Sequence, residues 1–583
     1  MKSLSSLVAV NVKVTDADKP LTWTDPNGNT YHYYEHPMMK ATIFVLLQEM
    51  CERLAFYGLT PNLQTFLKIN LGYTDSAANT YIADFQAIIY VTPLIAAILS
   101  DTWLGVYNTI LIFSVVYTIG LALFCVASVP SLCQPWMVHL SLMVLITLGS
   151  GGIKSCVNVM GAQQFHPELH KALITRFFTY FYSSINIGAL VGGIVTPILV
   201  EDVSFFVAYL VPFFAFIVAT AVFLYGGIMG RFVKPKPQGS AVLEVCKVIG
   251  CATYKLSLEK CKKSNGGPFE DRFIEDAKEI FRLIPLFTII IPFTIAYDQM
   301  TTAWLTQAEK MNLDTFGWDM PAALMQNIDS VAIIVNSLLI DGLLYSWLRS
   351  RGKMWSVLTR MCVGSLMGAA SLLLSLAAEY AIMYRPLYTV SVWWQVPQFW
   401  VIAAGEIFLT STSYEVAFTY SPSHLKAVSS AINLLFFAIA NFIAGAIFQV
   451  CSPWMPDFTP SDYPNSVMYY GSHYDYYYLL LAGICVVGAI MCLALMPYFN
   501  RVDREAKKRQ AEEDAELAVA KSKSDDEEEK TDDVKDEEAL AATDDESVDG
   551  VTSQSSGTGS SSGRDGPPTS GNIDTDRRGS SRL

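Results

Sequence analysis

Glu49-Met-Cys-Glu52-Arg53-Leu-Ala-Phe56-Tyr57-Gly58 lies inside the apolar run from residue 41 to residue 67. Ile43, Phe44, Val45, Leu46 and Leu47 precede it, and Leu59, Leu63, Phe66 and Leu67 follow. The run is long enough to cross a bilayer, yet it carries two acids and a base. Each ionised group near the centre of a membrane helix costs about 2.5–3.5 kcal/mol on insertion scales. At about 100° per residue, Glu49, Arg53 and Tyr57 fall on one stripe, with Glu52 about 60° to the side of Glu49. The charges therefore share a face, and that face is expected to look into a polar cavity. Two readings are open: a structural Glu–Arg pair that locks two helices, or an ion and substrate site. The expectation is the second.

The rest of the chain agrees with a membrane setting. Of its 583 residues, 52% are hydrophobic and only 16% are charged, which is too apolar for a soluble protein of this size. Twelve long apolar segments stand out, at about 41–67, 79–99, 107–129, 138–160, 176–200, 206–229, 280–300, 322–346, 355–382, 395–418, 427–451 and 474–498. The fold class expected is an all-α polytopic membrane protein with 12 transmembrane helices. Lys and Arg gather after spans 4, 6, 8 and 12 and are sparse in the odd-numbered loops. By the positive-inside rule both termini and the even loops are cytosolic. The domains expected are a cytosolic leader (1–40), a six-helix bundle (41–230), a basic cytosolic linker (231–279), a second six-helix bundle (280–500) and an acidic, Ser/Gly-rich tail (501–583). Two halves around a midplane site is a common transporter plan. Within the linker, 241–262 reads either as an amphipathic helix on the inner leaflet or as a plain tether.

The net charge of −14 belongs mostly to the tail, whose residues 501–583 hold 13 Lys+Arg and 23 Asp+Glu. The tail is too polar to fold alone. A basic domain for nucleic acid is lacking. The 11 cysteines are scattered without metal-ligand spacing. Residues 1–40 lack a basic segment followed by an apolar core, so span 1 is expected to serve as its own insertion signal.

Polar residues recur inside the other spans. Span 2 carries Tyr90 and ends at Ser100-Asp101-Thr-Trp103-Leu104-Gly105, where Asp101 reads as a structural hinge residue. Span 4 places Lys154 in Gly149-Ser-Gly151-Gly152-Ile153-Lys154, and a lysine there needs an acidic partner or an anionic ligand. Tyr182 and Asn186 share a face of span 5, span 7 carries Asp298 and Trp304, span 8 carries Asp329, and span 10 carries Glu406 and Glu415. A nucleophile–base set, phosphate loop or metal motif does not accompany them, so no enzyme and no cofactor beyond coupling protons is expected. Cations on spans 1 and 4 facing acids on spans 8 and 10 suit a zwitterion. Titratable buried carboxylates suit proton coupling.

These motifs, in collinear order over about 41–498, resemble the proton-coupled oligopeptide transporter (POT/PTR) family of the major facilitator superfamily. Glu49-x-x-Glu52-Arg53-x-x-x-Tyr57-Gly58 looks like its span-1 signature. Lys154 with Gln163-Gln164-Phe165, Phe177-Phe178 through Asn186-Ile-Gly188, and Trp394-Gln395-Val-Pro397 through Glu406, Glu415 and Tyr420-Ser-Pro look like its spans 4, 5 and 10. The resemblance implies a monomeric, proton-driven symporter of di- and tripeptides in a plasma membrane, or else a vacuolar or lysosomal one. It implies that Arg53 and Lys154 hold the peptide carboxylate, and that Glu415 and Asn186 hold its amine. Tyr57, Tyr90, Tyr182 and Trp304 would line side-chain pockets. Glu49, Glu52, Arg53, Lys154 and Glu415 would carry the proton coupling, and a Lys154–Glu415 contact would latch the two halves. Thr60 stands where many members have a second arginine, Ala83 where animal members have a histidine, and Asp329 where an asparagine is usual. Two alternatives remain: the same fold moving nitrate or a small organic anion, or a peptide-sensing receptor that signals through its tail.

Overall fold

The structure, a computed structural model, describes residues 18–25, 28–237, 239–422, 425–457 and 473–508. Of the expected acidic tail, residues 501–508 continue a helix, and the expectations for 509–583 fall outside the described residues. A short hairpin comes first: β1 (Leu21–Thr24) pairs antiparallel with β2 (Thr30–Tyr33). Its turn is closed by the Gly28 amide donating to Asp25 O at 2.9 Å.

Helices follow: α1 (Ile43–Leu59), α2 (Leu63–Leu71), α3 (Asp75–Leu99), α4 (Gly105–Ala127), α5 (Pro135–Ala162), α6 (Lys171–Asp202) and α7 (Phe205–Ile228). The linker supplies α8 (Ala241–Lys255). The second half contains α9 (Asp271–Phe287), α10 (Ile290–Tyr297), α11 (Ala303–Glu309), α12 (Ala322–Ser350), α13 (Val357–Met383), α14 (Val396–Thr419), α15 (Lys426–Cys451) and α16 (Tyr474–Lys508). Helix starts follow local chemistry. Thr74, Ser204 and Ser356 each cap a helix by accepting a backbone N–H three residues on. Gly72 ends α2 in the left-handed region, where a residue without Cβ sits at no cost.

Each of the twelve apolar segments is helical over most of its length. Among the described residues, eight helices are long and apolar enough to cross a membrane, or nine if the bent α9–α11 unit is one span. One of the eight, Asp75–Ala127, is 53 residues long and takes in the second and third apolar segments together. The charged α1 and α14 fall outside that set. The protein is a mostly helical, multi-pass membrane protein.

Two apolar cores form, one between Tyr34 and Phe232 and the other chiefly between Leu283 and Val502. Small residues set the spacing inside the first. A Cβ on Gly151 would collide with the Thr92 side chain, and one on Gly188 with the Met50 carbonyl, so α5 meets α3 and α6 meets α1 at backbone distance. The halves touch along α3 and α15, where Tyr90 stacks on Phe437 at 5.4 Å between centroids. They are sealed at one end. Lys68 pairs with Asp75 at 2.7 Å and with Glu309 at 2.8 Å, and Gln64 donates to Thr306 at 2.8 Å. Ser76 also donates to Phe448 O at 3.0 Å.

Span 7 departs from a continuous helix. It bends by 49°, Asp298–Thr301 form a tight 3-10 turn, and Thr302 leaves the helical region at φ −128°, ψ −101°. The linker segment read as a leaflet helix or tether is helical over Ala241–Lys255. Its apolar residues Val242 and Val245 pack on protein, against Ile98 of α3, Ile280 of α9, and Leu425 and Val428 beside and in α15.

Candidate functional site

A cavity of about 310 Å³ lies between the two halves. Arg53, Tyr57, Tyr90, Lys154, Tyr182, Asn186 and Asp329, all singled out from sequence, line it. Tyr182 and Tyr414 line it and yet are 54% and 42% exposed, so the cavity is open on their side, opposite the sealed end.

One wall comes from α1, α3, α5 and α6. Arg53 contacts the Glu52 carboxylate directly and lies 3.4 Å from Glu49. Ser150 of α5 donates to the other Glu52 oxygen at 2.8 Å. Glu49, Glu52 and Arg53 are all buried. The acids stand behind the guanidinium and do not line the cavity, so the span-1 stripe presents its cation and its tyrosine. Lys154 sits one helix away, its Nζ 5.0 Å from the Tyr90 ring centroid, a cation–π distance.

The opposite wall comes from α10, α12, α14 and α15 and is acidic: Asp298, Asp329 and Glu406. Tyr297 donates to Asp329 at 3.4 Å. Asp298 Oδ2, Asp329 Oδ1 and Glu406 Oε2 are buried and find no hydrogen-bond partner among the described residues. None of the three forms a salt bridge there either. A buried carboxylate without a partner is costly unless a proton or a cation joins it.

Two residues read from sequence as site residues are elsewhere. Glu415 does not line the cavity. It holds Arg360 of α13 in a two-pronged contact, 2.7 Å on each arm. Glu406 and Glu415 are nine residues apart on α14, which at about 100° per residue puts them on opposite faces. Glu406, Thr410 and Tyr414, at i, i+4 and i+8, all face the cavity. The Lys154–Glu415 latch is accordingly not formed. Trp304 is fully buried, edge-on to Phe399 at 4.9 Å, with its carbonyl accepting from Gln395 at 2.9 Å. The break at Thr302 ends the helical spacing that would have carried Trp304 to the cavity face with Tyr297. Thr301 lines the cavity instead.

Asp298, Glu406, Tyr297 and Tyr414 are among the cavity residues that the sequence did not assign to the site. For Glu406 the signal was present in the periodicity of Thr410 and Tyr414. For Asp298 it was not, because the local 3-10 turn sets its direction.

A helical, multi-pass chain with a two-walled amphoteric cavity between its halves is a membrane transporter of small molecules. Comparison with known proteins makes this specific. The family model described as "PTR2: POT family" matches residues 107–459, and the chain belongs to the POT family, a family of transporters and not of enzymes. It is similar to the probable peptide transporter ptr2 of Schizosaccharomyces pombe, 30% identical over 71% of this chain and 72% of the relative. It is also similar to Protein NRT1/PTR FAMILY 8.5 of Arabidopsis thaliana, 26% identical over 78% of this chain and 89% of the relative. The POT family transporter PepTSo has the same fold, with a TM-score of 0.66 at 21% identity over 80% of this chain and 98% of that one. Another POT family transporter, solved in complex with 5-aminolevulinic acid, has a TM-score of 0.61 at 19% identity over 78% of this chain and 96% of that one.

Proposed function

We propose that the chain is a proton-coupled symporter that imports di- and tripeptides by alternating access between two six-helix bundles. In this reading twelve helices cross the bilayer, both termini are cytosolic, and the cavity is open to the cytosol. The protein acts as a monomer, with the plasma membrane as its site.

The observation that carries the reading is the division of charge across the cavity. Arg53 and Lys154 line one wall, and Asp298, Asp329 and Glu406 line the other. A peptide with free ends spans such a site, its carboxylate toward Arg53 and Lys154 and its amine toward Glu406 and Asp329. Asn186 and Tyr182 lie between, and Tyr57 and Tyr90 flank the side chains. Glu406 takes the amine-holding role that the sequence reading gave to Glu415. The naming of a relative as a probable peptide transporter and the binding of 5-aminolevulinic acid by a protein of this fold support the same ligand chemistry.

Proton coupling rests on the α1 cluster. With Glu49 and Glu52 both ionised, Arg53 is over-neutralised. When either acid takes a proton, the guanidinium is freer to bind an incoming carboxylate. Substrate and proton thus help each other onto one wall. The three acids opposite, which form no salt bridge among the described residues, argue against a dedicated carrier of nitrate or another small anion, for which they would be purely repulsive.

The test is uptake of a radiolabelled dipeptide into proteoliposomes under an imposed inward proton gradient, with and without a protonophore. Accumulation above equilibrium that collapses with the protonophore is expected. Absence of peptide flux in folded protein, with flux of nitrate or an organic acid, would overturn the peptide reading.

A further inference from the structure

The linker holds a close pair of thiols unrelated to the cavity. α8 ends at Lys255, Leu256 adopts the left-handed conformation at φ +52°, and the chain folds back through a short turn at Glu259–Cys261. That return brings Cys261 Sγ to 2.8 Å from Cys251 Sγ. Both are free thiols, within about 1 Å of bonding distance. Cys261 is wholly buried beside Val248 and Ile274, while Cys251 packs at the edge of that cluster and is partly exposed. An oxidant therefore meets Cys251 first, and Cys261 is placed to resolve the adduct.

The position of α8 gives the pair its reach. The same helix packs on Ile98 of the first half and on Ile280, Leu425 and Val428 of the second, at the end where the cavity is open. The Gly239 amide, just ahead of α8, donates to Asp101 O at 2.9 Å, at the turn that follows α3. α8, against which the 256–261 return folds, is thus in contact with both halves.

We propose that Cys251 and Cys261 form an oxidisable dithiol site that reacts with small-molecule disulfides, and that closing the bond stiffens the linker and slows the transport cycle. The chemistry balances as ordinary thiol–disulfide exchange. The Cys251 thiolate attacks one sulfur of the oxidant and expels the first thiolate. The Cys261 thiolate then attacks Cys251 Sγ in the mixed disulfide and expels the second. The two cysteines lose two electrons and two protons, and the oxidant becomes two thiols. In the cytosolic setting proposed above, a reduced thiol pool keeps the pair open and an oxidised one closes it.

The test uses the full chain in proteoliposomes, treated with oxidised glutathione. Non-reducing digestion and mass spectrometry should find a Cys251–Cys261 cross-linked peptide that dithiothreitol reverses. Tryptic cleavage after Lys255 and Lys260 should slow by about threefold or more, because cutting needs local opening of the return. Initial uptake rate should fall and recover with the reductant. Cys251→Ser and Cys261→Ser should each lose the cross-link and the oxidant sensitivity while keeping the reduced-state rate. Glutathione adducts on Cys251 or Cys246 without an internal bond would overturn the proposal. So would a bond that changes neither cleavage nor uptake, or slowing that survives both serine variants. Mapping and proteolysis need no substrate, so a failure of the peptide reading would be seen separately, as missing uptake in the reduced protein.

Discussion

The two walls of the cavity solve the problem of buried charge in opposite ways. On the α1 side the acids are ion-paired: Arg53 is held by Glu52 and Glu49, and Glu52 also accepts from Ser150. On the α10–α14 side Asp298, Asp329 and Glu406 form no salt bridge among the described residues, and each keeps a buried oxygen without a hydrogen bond, as Glu49 Oε2 and Arg53 Nη2 also are opposite. Arg53 on the first wall is neutralised within the fold, while the acids of the second wait for a proton or a ligand cation. The difference teaches where the two ends of the ligand should be read. Changes on the first wall should break proton use and carboxylate recognition, and changes on the second should break amine recognition while leaving the fold intact.

The largest effect is expected from Arg53→Ala. It leaves Glu49 and Glu52 buried with no cation between them, and removing one partner of a buried ion pair costs about 3–5 kcal/mol. Transport should be abolished and the thermal midpoint lowered in a detergent melting assay. A midpoint unchanged from wild type would mean that the first wall is not internally neutralised. Glu52→Gln is gentler, since it keeps shape and a hydrogen-bonding group. It should eliminate proton-driven accumulation in the gradient assay while peptide counterflow persists. Equal loss of both activities at normal protein levels would place Glu52 in folding or binding and not in coupling.

The second wall is tested by Glu406→Gln. A hydrogen bond to a charged group is worth about 1.5–3 kcal/mol, or roughly 10- to 100-fold in affinity. Dipeptide counterflow should fall by that order, with the melting midpoint held or raised because an unpaired acid has gone. A peptide whose amine is acetylated should bind wild type and variant alike. Lys154→Ala gives the mirror result on the first wall, a loss of similar size that amidated peptides do not feel. If both variants discriminated against the same blocked terminus, the two-walled polarity would be wrong.

Much of this was legible in the sequence. All twelve apolar segments are helical, and the charged stripe Glu49–Arg53–Tyr57 lies at the cavity because a regular helix turns by a fixed angle per residue. Lys154 was legible because no lysine sits in a small-residue span without cause. The misses share a physical origin. Trp304 left the site because the chain changes helix type at Asp298–Thr301, and Thr302 steps out of helical geometry. Nothing in Tyr297-Asp298-Gln299 announces such a break. The linker helix was legible as apolar on one side, but not which surface it would cover, since a leaflet and the flank of α15 are equally apolar. Glu415 was misplaced for another reason: two acids on one helix look alike until their angular separation is compared with neighbouring polar residues.

The smallest expected effect is therefore the most discriminating. Glu415 pairs with Arg360 at 2.7 Å, with side chains 43% and 19% exposed. Exposed ion pairs contribute about 0–1 kcal/mol, so breaking this one should shift uptake by no more than roughly fivefold. If Glu415 held the peptide amine, Glu415→Gln would instead match the loss seen in Glu406→Gln. Measuring the two variants side by side, with the same dipeptide and at matched protein levels, decides between the faces of α14. A near-silent Glu415→Gln beside a crippled Glu406→Gln assigns recognition to the wall whose acids form no salt bridge among the described residues. The reverse pattern would mean that α14 rotates by about half a turn between the state seen here and the one that binds substrate.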